Sequence, residues 1–398
     1  MTTYTTLIIL SSLVIFSYLF DLIAGKTKIP SVVLLLLLGI GIRQVVDYFG
    51  WTRLNFSTIL PMLGTLGLIL IVFEGALELK YSKEKNHVIR RSFFSSLVIL
   101  LFTAASITYI IYSISHETLY RCIINAIPFC VVSSSIAIPS SATINKDKRE
   151  FIIYESSFSD ILGIILFNFM LNNRQVSISS FTSLSMELVI IVLFAACSCL
   201  FLLYLIGRIT HKIKFFLIIS LLILVYGIGQ SYHLSALIVV LSFGLFFNNA
   251  TQINIPWFRR NFIYPRLSLD LRQLFQLSAE SAFLMRTFFF AIFGFTMDIY
   301  QLQNLTVLLS GALILAAIYL IRFLYIKFVG RTDLMPELVI VPRGLISVLL
   351  YYNLPKELRI HGVETGLLFV VILGTSIIMS IGLLSTKHTP PAREFKDV

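Results

Sequence analysis

The stretch YESSFSDILGIILF, residues 154–167, lies inside an apolar run from about 151 to 171 and carries two carboxylates, Glu155 and Asp160. An acidic side chain near the centre of a membrane-spanning helix costs about 2.5–3.5 kcal/mol on insertion scales, so the pair costs about 5–7 kcal/mol. A span that keeps both groups must neutralise them or use them. On a helix Ser156 and Asp160, four residues apart, share a face, with Ser159 beside them. Glu155 lies about 140° round the axis from Asp160 and about 7.5 Å along it, so it addresses a different neighbour.

The rest of the chain is built to hold such a helix in a bilayer. Of its 398 residues 57% are apolar and 13% charged, and the mean hydropathy is +0.91, far outside the range of soluble domains. Apolar runs too long for strands recur near 5–24, 29–42, 58–79, 92–114, 121–144, 151–171, 184–207, 213–229, 233–249, 276–297, 303–326, 334–352 and 364–384. They predict an all-α polytopic membrane protein with thirteen spanning helices. Of the 31 Lys and Arg residues, 23 fall in odd-numbered connections and the C-terminus. Six fall in the N-terminus and even-numbered connections, and Arg286 and Arg343 lie within spans. Cytoplasmic loops retain positive charge, so the N-terminus is expected outside and the C-terminus in the cytoplasm of a plasma (inner) membrane. The net charge of +11 is therefore a topology signal and gives no reason to invoke nucleic acid.

The first run lacks a basic leader and a small-residue cleavage site, and reads as a retained span. Cys122, Cys130, Cys197 and Cys199 fall in or beside spans without companion metal ligands and read as small buried hydrophobes. The loop near 250–275 reads as an interfacial connector. The histidines, His233 among them, take no assigned role. Asp21, Glu78, Glu187 and Asp298 read as solvated helix ends, and Arg286 as a residue snorkelling to the interface.

IVFEGALELK (71–80) aligns with AIFGFTMDIY (291–300): Phe73 with Phe293, Glu78 with Asp298, Leu79 with Ile299. A weaker echo pairs SVVLLLLLGIGI (31–42) with SALIVVLSFGLFF (235–247). The charge tally makes the third run end in the cytoplasm and the tenth outside, so the repeats, about 1–172 and 213–385, are inverted. Inverted six-helix repeats typify secondary transporters, whose site lies at mid-membrane where discontinuous helices meet. Two runs have the composition of broken helices. The fifth contains PFCVVSSSIAIPSSA (128–142), three serines bracketed by prolines; the twelfth contains MPELVIVPRGLISV (335–348) with Pro336, Pro342 and Gly344. Proline removes a donor and frees a carbonyl, and freed carbonyls suit a small cation.

Among the charged residues, Arg343 is the expected partner of Glu155, with the serines of the fifth run as the alternative. Asp160 is then the candidate site: desolvation disfavours its charged form, so a proton and a metal cation compete for one carboxylate. A static polar cluster is the alternative reading. Glu74, near the cytoplasmic end of the third run, lines a funnel or caps a helix.

Four motifs in order, FEGALEL (73–79), ESSFSD (155–160), FFFAIFGFTMDI (288–299) and PRGLISV (342–348), resemble the monovalent cation/proton antiporter superfamily, most nearly its sodium/proton exchanger branch. The resemblance covers nearly the whole chain. It implies the sodium/proton antiporter fold, with core helices at about 58–172 and 276–384, scaffold and dimer helices at about 5–42 and 184–249, and a short tail at 386–398. It also implies a homodimer and an elevator-like core movement. Asp160 would bind Na+ (or Li+ or K+) and H+ alternately, with no cofactor. Ser156, Ser159, Ser133 and Ser134 would complete the cation and proton set, and Glu155 with Arg343 would form a structural ion pair. The chain departs from the family at Ser159, where Asn is usual, and at SSSIAI (133–138), where Thr-Asp-Pro-x-Ala-x is usual. One carboxylate at the site, in place of two adjacent aspartates, favours electroneutral exchange. A channel or uniporter, and a non-transporting homologue, are the alternatives; no cluster of His and Asp or nucleophile motif on one membrane face suggests an enzyme.

Overall fold

A computed structural model describes residues 3–27, 29–50, 59–79, 83–141, 144–174, 178–208, 215–232, 235–263, 267–297, 303–330 and 333–385. Asp298, His233 and the tail 386–398 lie outside the described residues, as does the side chain of Glu78.

Every expected run coincides with a helix or a broken helix. The first four are α1 (Thr3–Thr27), α2 (Ser31–Tyr48), α3 (Ile59–Glu78) and α4 (Asn86–Ser115). The fifth divides into α5 (Leu119–Cys130) and α6 (Ser134–Ser140), and the sixth is α7 (Lys146–Asn172). Then come α8 (Ile178–Arg208), α9 (Phe215–Ser231), α10 (Ala236–Asn249), the short α11 (Pro256–Phe262) and α12 (Leu267–Thr296). The last are α13 (Leu305–Leu324), α14 (Leu345–Asn353) and α15 (Thr365–Ser385). Among the described residues seven segments, with α5 and α6 counted together as one, are long and apolar enough to cross a membrane, or eight where α10 and α11, bent by 106°, are taken as one span. The bend falls in the expected connector: Pro256 starts α11 at a position where its missing N–H costs nothing, and Trp257 is exposed.

Two compact units are formed by the described residues, one of Met1–Asn55, Asn86–Gly163 and Phe290–Val398, the other of Phe56–Lys85 and Ile164–Phe289. In the first unit α4 packs on α5 and α13, α13 on α15, and α14 on α5. In the second α10 packs on α3, α8 and α9. The α3–α10 approach depends on Gly244, where a Cβ would lie 2.6 Å from that of Ala76 and 3.1 Å from the Phe73 ring.

Both proline-bearing spans are interrupted. Val131–Ser133 is extended, with φ −77° and ψ 125° at Val131 and φ −77° and ψ 113° at Ser133. In the twelfth run a turn over 335–339 gives way to non-helical chain over 340–344 before α14 begins. Pro342 biases Val341 away from helical geometry, so α14 cannot extend backwards through it.

Candidate cation site

The two breaks meet in the first unit. Helix α5 ends because the next amides have other partners. Val132 N–H donates to Ser159 Oγ at 2.9 Å, Ser133 N–H to Pro342 O at 2.9 Å, and Ser134 N–H to Asp160 Oδ2 at 3.2 Å. On the other side of the break, the Phe129 carbonyl accepts from Arg343 Nε at 2.8 Å. Buried backbone groups must be paired, and here α7 and the twelfth span supply the pairs that a continuous helix would have supplied itself. Two glycines permit the approach. A Cβ on Gly163 would lie 2.3 Å from Val131 Cγ2, and one on Gly344 would lie 2.6 Å from Ser133 Oγ.

Asp160 therefore faces the interrupted backbone and is 7% exposed. Ser156, one turn earlier and buried, donates its hydroxyl to Ile152 O at 2.8 Å and to Ile153 O at 3.2 Å. That use of the proton leaves the oxygen an acceptor. Ser159 is committed to the Val132 amide. Ser133 Oγ lies 2.9 Å from Ser135 Oγ, and Ser134 contributes its backbone to Asp160. An acidic group, hydroxyl oxygens and interrupted backbone are thus gathered at one point, a donor set suited to a hard monovalent cation or a proton.

The expected Glu155–Arg343 pair is corrected by the structure. Glu155 is paired with Arg322 of α13: Nη1 donates to Oε1 at 2.7 Å and Nη2 to Oε2 at 2.6 Å, and Ser95 Oγ donates to Oε1. Two further Arg322 donors reach the Glu337 carbonyl, Nε at 3.1 Å and Nη2 at 3.0 Å. Arg343 is instead committed to carbonyls. Besides Phe129 O it donates from Nη1 to Val341 O at 2.9 Å, while its own amide donates to Thr375 Oγ1 of α15 at 3.0 Å. The physical reason is the break itself: the C-terminal end of α5 presents unsatisfied carbonyls and negative partial charge, which a guanidinium serves well.

The sequence did carry a signal for Arg322. It lies inside the eleventh run, 303–326, and apolar residues continue beyond it through Phe328 and Val329; the chain stays helical to Gly330. Arg322 is 1% exposed.

Two further expectations change in the second unit. Arg286 does not snorkel; it is half-buried with its Nη2 3.7 Å from Glu74 Oε1. Glu74 thus sits on a helix facing a fixed cation in its own unit. Glu187 is no solvated helix end: its Oε1 accepts from Ser235 N–H at 3.1 Å and Ser235 Oγ at 2.7 Å, at the start of α10.

An all-helical membrane protein whose two broken spans meet beside a buried carboxylate has the build of an ion-coupled secondary transporter. The chain belongs to the sodium/hydrogen exchanger family: the model of that family's transmembrane region matches residues 10–386. This is a family of transporters, and the chain is not an enzyme. Its fold is similar to that of the sodium proton antiporter MjNhaP1 from Methanocaldococcus jannaschii at pH 8, with a TM-score of 0.71 at 20% identity over 96% of this chain and 100% of that one. Against an electron-microscopy map of the same antiporter the TM-score is 0.68, again at 20% identity, over 96% of this chain and 95% of that one. Comparison with curated proteins gives no match.

Proposed function

We propose that the chain is a secondary active antiporter that exchanges Na+, or Li+ or K+, for H+ across the plasma membrane. The observation that carries this reading is the placement of Asp160, a buried carboxylate at the meeting point of two interrupted helices. Membership of the sodium/hydrogen exchanger family supports it, as does the likeness of fold to a sodium proton antiporter.

In this reading Asp160 holds either the cation or the proton. Ser156 offers its hydroxyl oxygen as a further ligand, and the backbone near Ser133 and Ser134 completes the shell. Ser159 positions the break. A carboxylate that crosses the membrane only when neutralised swaps one cation for one proton, because the bare charged form is too costly to move through a low-dielectric barrier. The exchange is then electroneutral. Glu74 lines the path by which cations reach the site, with Arg286 setting the local charge. The N-terminus lies outside, the C-terminus in the cytoplasm, and the working unit is a homodimer.

The test uses proteoliposomes with a trapped pH dye and an acid interior. External Na+, Li+ or K+ should drive proton efflux in the native chain and leave Asp160→Asn silent. The initial rate should not change when a membrane potential is imposed with valinomycin. Proton efflux that persists in Asp160→Asn would overturn the site, and a rate that follows the potential would overturn electroneutrality.

A further inference from the structure

A second polar site lies in the first unit, away from the crossing. The start of α4, the start of α7 and the turn before α14 enclose a cavity of about 520 Å3. Helix α4 contributes His87 and Arg91, α7 contributes Asp147 and Lys148, and the non-helical stretch before α14 contributes Asp333 and Glu337. His87 and Arg91, four residues apart, share one face of α4. The wall is braced: Lys148 Nζ donates to Asp333 Oδ2 at 3.2 Å and to Met335 O at 2.9 Å. Phe151 forms an apolar floor, with the Arg91 guanidinium 4.9 Å above its ring, and Glu337 beside it is buried. His87 and Asp147 on the rim are exposed.

We infer that this cavity binds the headgroup of a zwitterionic phospholipid that carries a phosphodiester and a primary ammonium, the ethanolamine class. Three basic and three acidic side chains in one cavity suit neither a simple anion nor a simple cation, because either would meet as much repulsion as attraction. A ligand with both charges a few ångströms apart uses both sets. The phosphate takes charge-assisted hydrogen bonds from Arg91 and its basic neighbours, and the ammonium donates to the carboxylates. Choline lacks the N–H donors for that second contact, and glycerol lacks the charge.

The lipid source follows from α4. His87, Phe94 and Leu101 recur at seven-residue intervals on one face of the helix, and Phe94 and Leu101 are 54% and 48% exposed. An acyl chain whose headgroup sits by His87 has an apolar track along that face. The charge tally puts these ends of α4 and α7 at the cytoplasmic surface, where the run of basic residues meets lipid headgroups.

The test is lipid retention by the delipidated full chain in detergent, read by native mass spectrometry and by the rise in melting temperature. Phosphatidylethanolamine, phosphatidylcholine and phosphatidylglycerol of identical acyl chains are compared. Ethanolamine lipid should bind at least fivefold more tightly than the other two. Asp147→Asn with Glu337→Gln should reduce it to the level of the choline lipid, and Arg91→Gln should weaken it severalfold. His87→Gln, a change at an exposed rim position, should give an intermediate loss with an unchanged lipid-free melting temperature. Equal retention of all three lipids, or a preference that survives these substitutions, would overturn the site. Free O-phosphoethanolamine competing as well as the lipid would overturn the lipid as its occupant.

Discussion

The exchange of partners at Glu155 yields a double-mutant test. Replacing Arg322 with Gln removes two charge-assisted bonds to Glu155 and two to the Glu337 carbonyl, leaving the carboxylate with Ser95. Breaking a buried pair from one side costs about 3–5 kcal/mol, because an uncompensated charge stays in a low-dielectric interior. Glu155→Gln should cost a similar amount from the other side. The double variant leaves neither charge stranded, so it should be less destabilised than the sum by about 2–3 kcal/mol. Arg343 donates to carbonyls of residues 129 and 341 instead, and sites without shared partners add within about 0.5 kcal/mol. Glu155→Gln and Arg343→Gln should therefore be additive. Denaturation in mixed micelles, followed by far-ultraviolet dichroism and extrapolated linearly, measures both cycles. A coupling below about 0.5 kcal/mol with Arg322, or a larger one with Arg343 than with Arg322, would refute the pairing.

Three further outcomes follow from the geometry at the crossing and at Glu74. Gly344→Ala sets a methyl 2.6 Å from Ser133 Oγ and 2.8 Å from Ile136 Cδ1; it should cost about 1–3 kcal/mol by overcrowding, and Ser133→Gly in the same chain should restore part of that loss in melting temperature. Ser159→Ala strands the buried Val132 amide at a cost of about 1–3 kcal/mol, whereas Ser159→Asn returns an acceptor and should recover stability and cation-driven flux; equal behaviour of the two variants would remove Ser159 from its positioning role. Glu74→Gln should change stability by under about 1 kcal/mol, because its cation lies 3.7 Å away and both side chains are partly exposed, yet it should raise severalfold the Na+ concentration giving half-maximal flux; an unchanged concentration would take Glu74 off the cation path.

Much of this arrangement could be read from residue order. Thirteen apolar runs and their loop charges follow from bilayer thickness and from the cost of burying charge, both local properties. The brackets Pro128–Pro139 and Pro336–Pro342 marked the two spans that could not be continuous. Other features depend on neighbours that no sequence pattern names. The first break falls at 131–133, between the prolines, because Ser159, Pro342 and Asp160 compete successfully for three adjacent amides. Glu155 has two buried arginines in its own unit, and the choice between them depends on the carbonyls that the break exposes to Arg343. Local charge and periodicity identify both guanidiniums as costly, but only the packed structure assigns their partners.

The serines at 133–135 show how the crossing holds without the family's usual carboxylate and proline. Partial positive charge at the start of α6 and partial negative charge at the end of α5 still need compensation. Arg343 meets the second. The first falls to Asp160, whose Oδ2 accepts the Ser134 amide, so on the proposed reading the transport carboxylate also holds the backbone of the break. A cation at Asp160 draws on the same carboxylate charge that strengthens this amide bond, and protonation turns a charge-assisted bond into a weaker neutral one. Each loading event therefore loosens the tie between α7 and α6, whereas the bare carboxylate tightens it. The substrate-free form is thus the one most firmly locked at the crossing. Obligatory coupling of the proposed exchange requires that asymmetry, because an empty carrier that crossed freely would dissipate one gradient without the other.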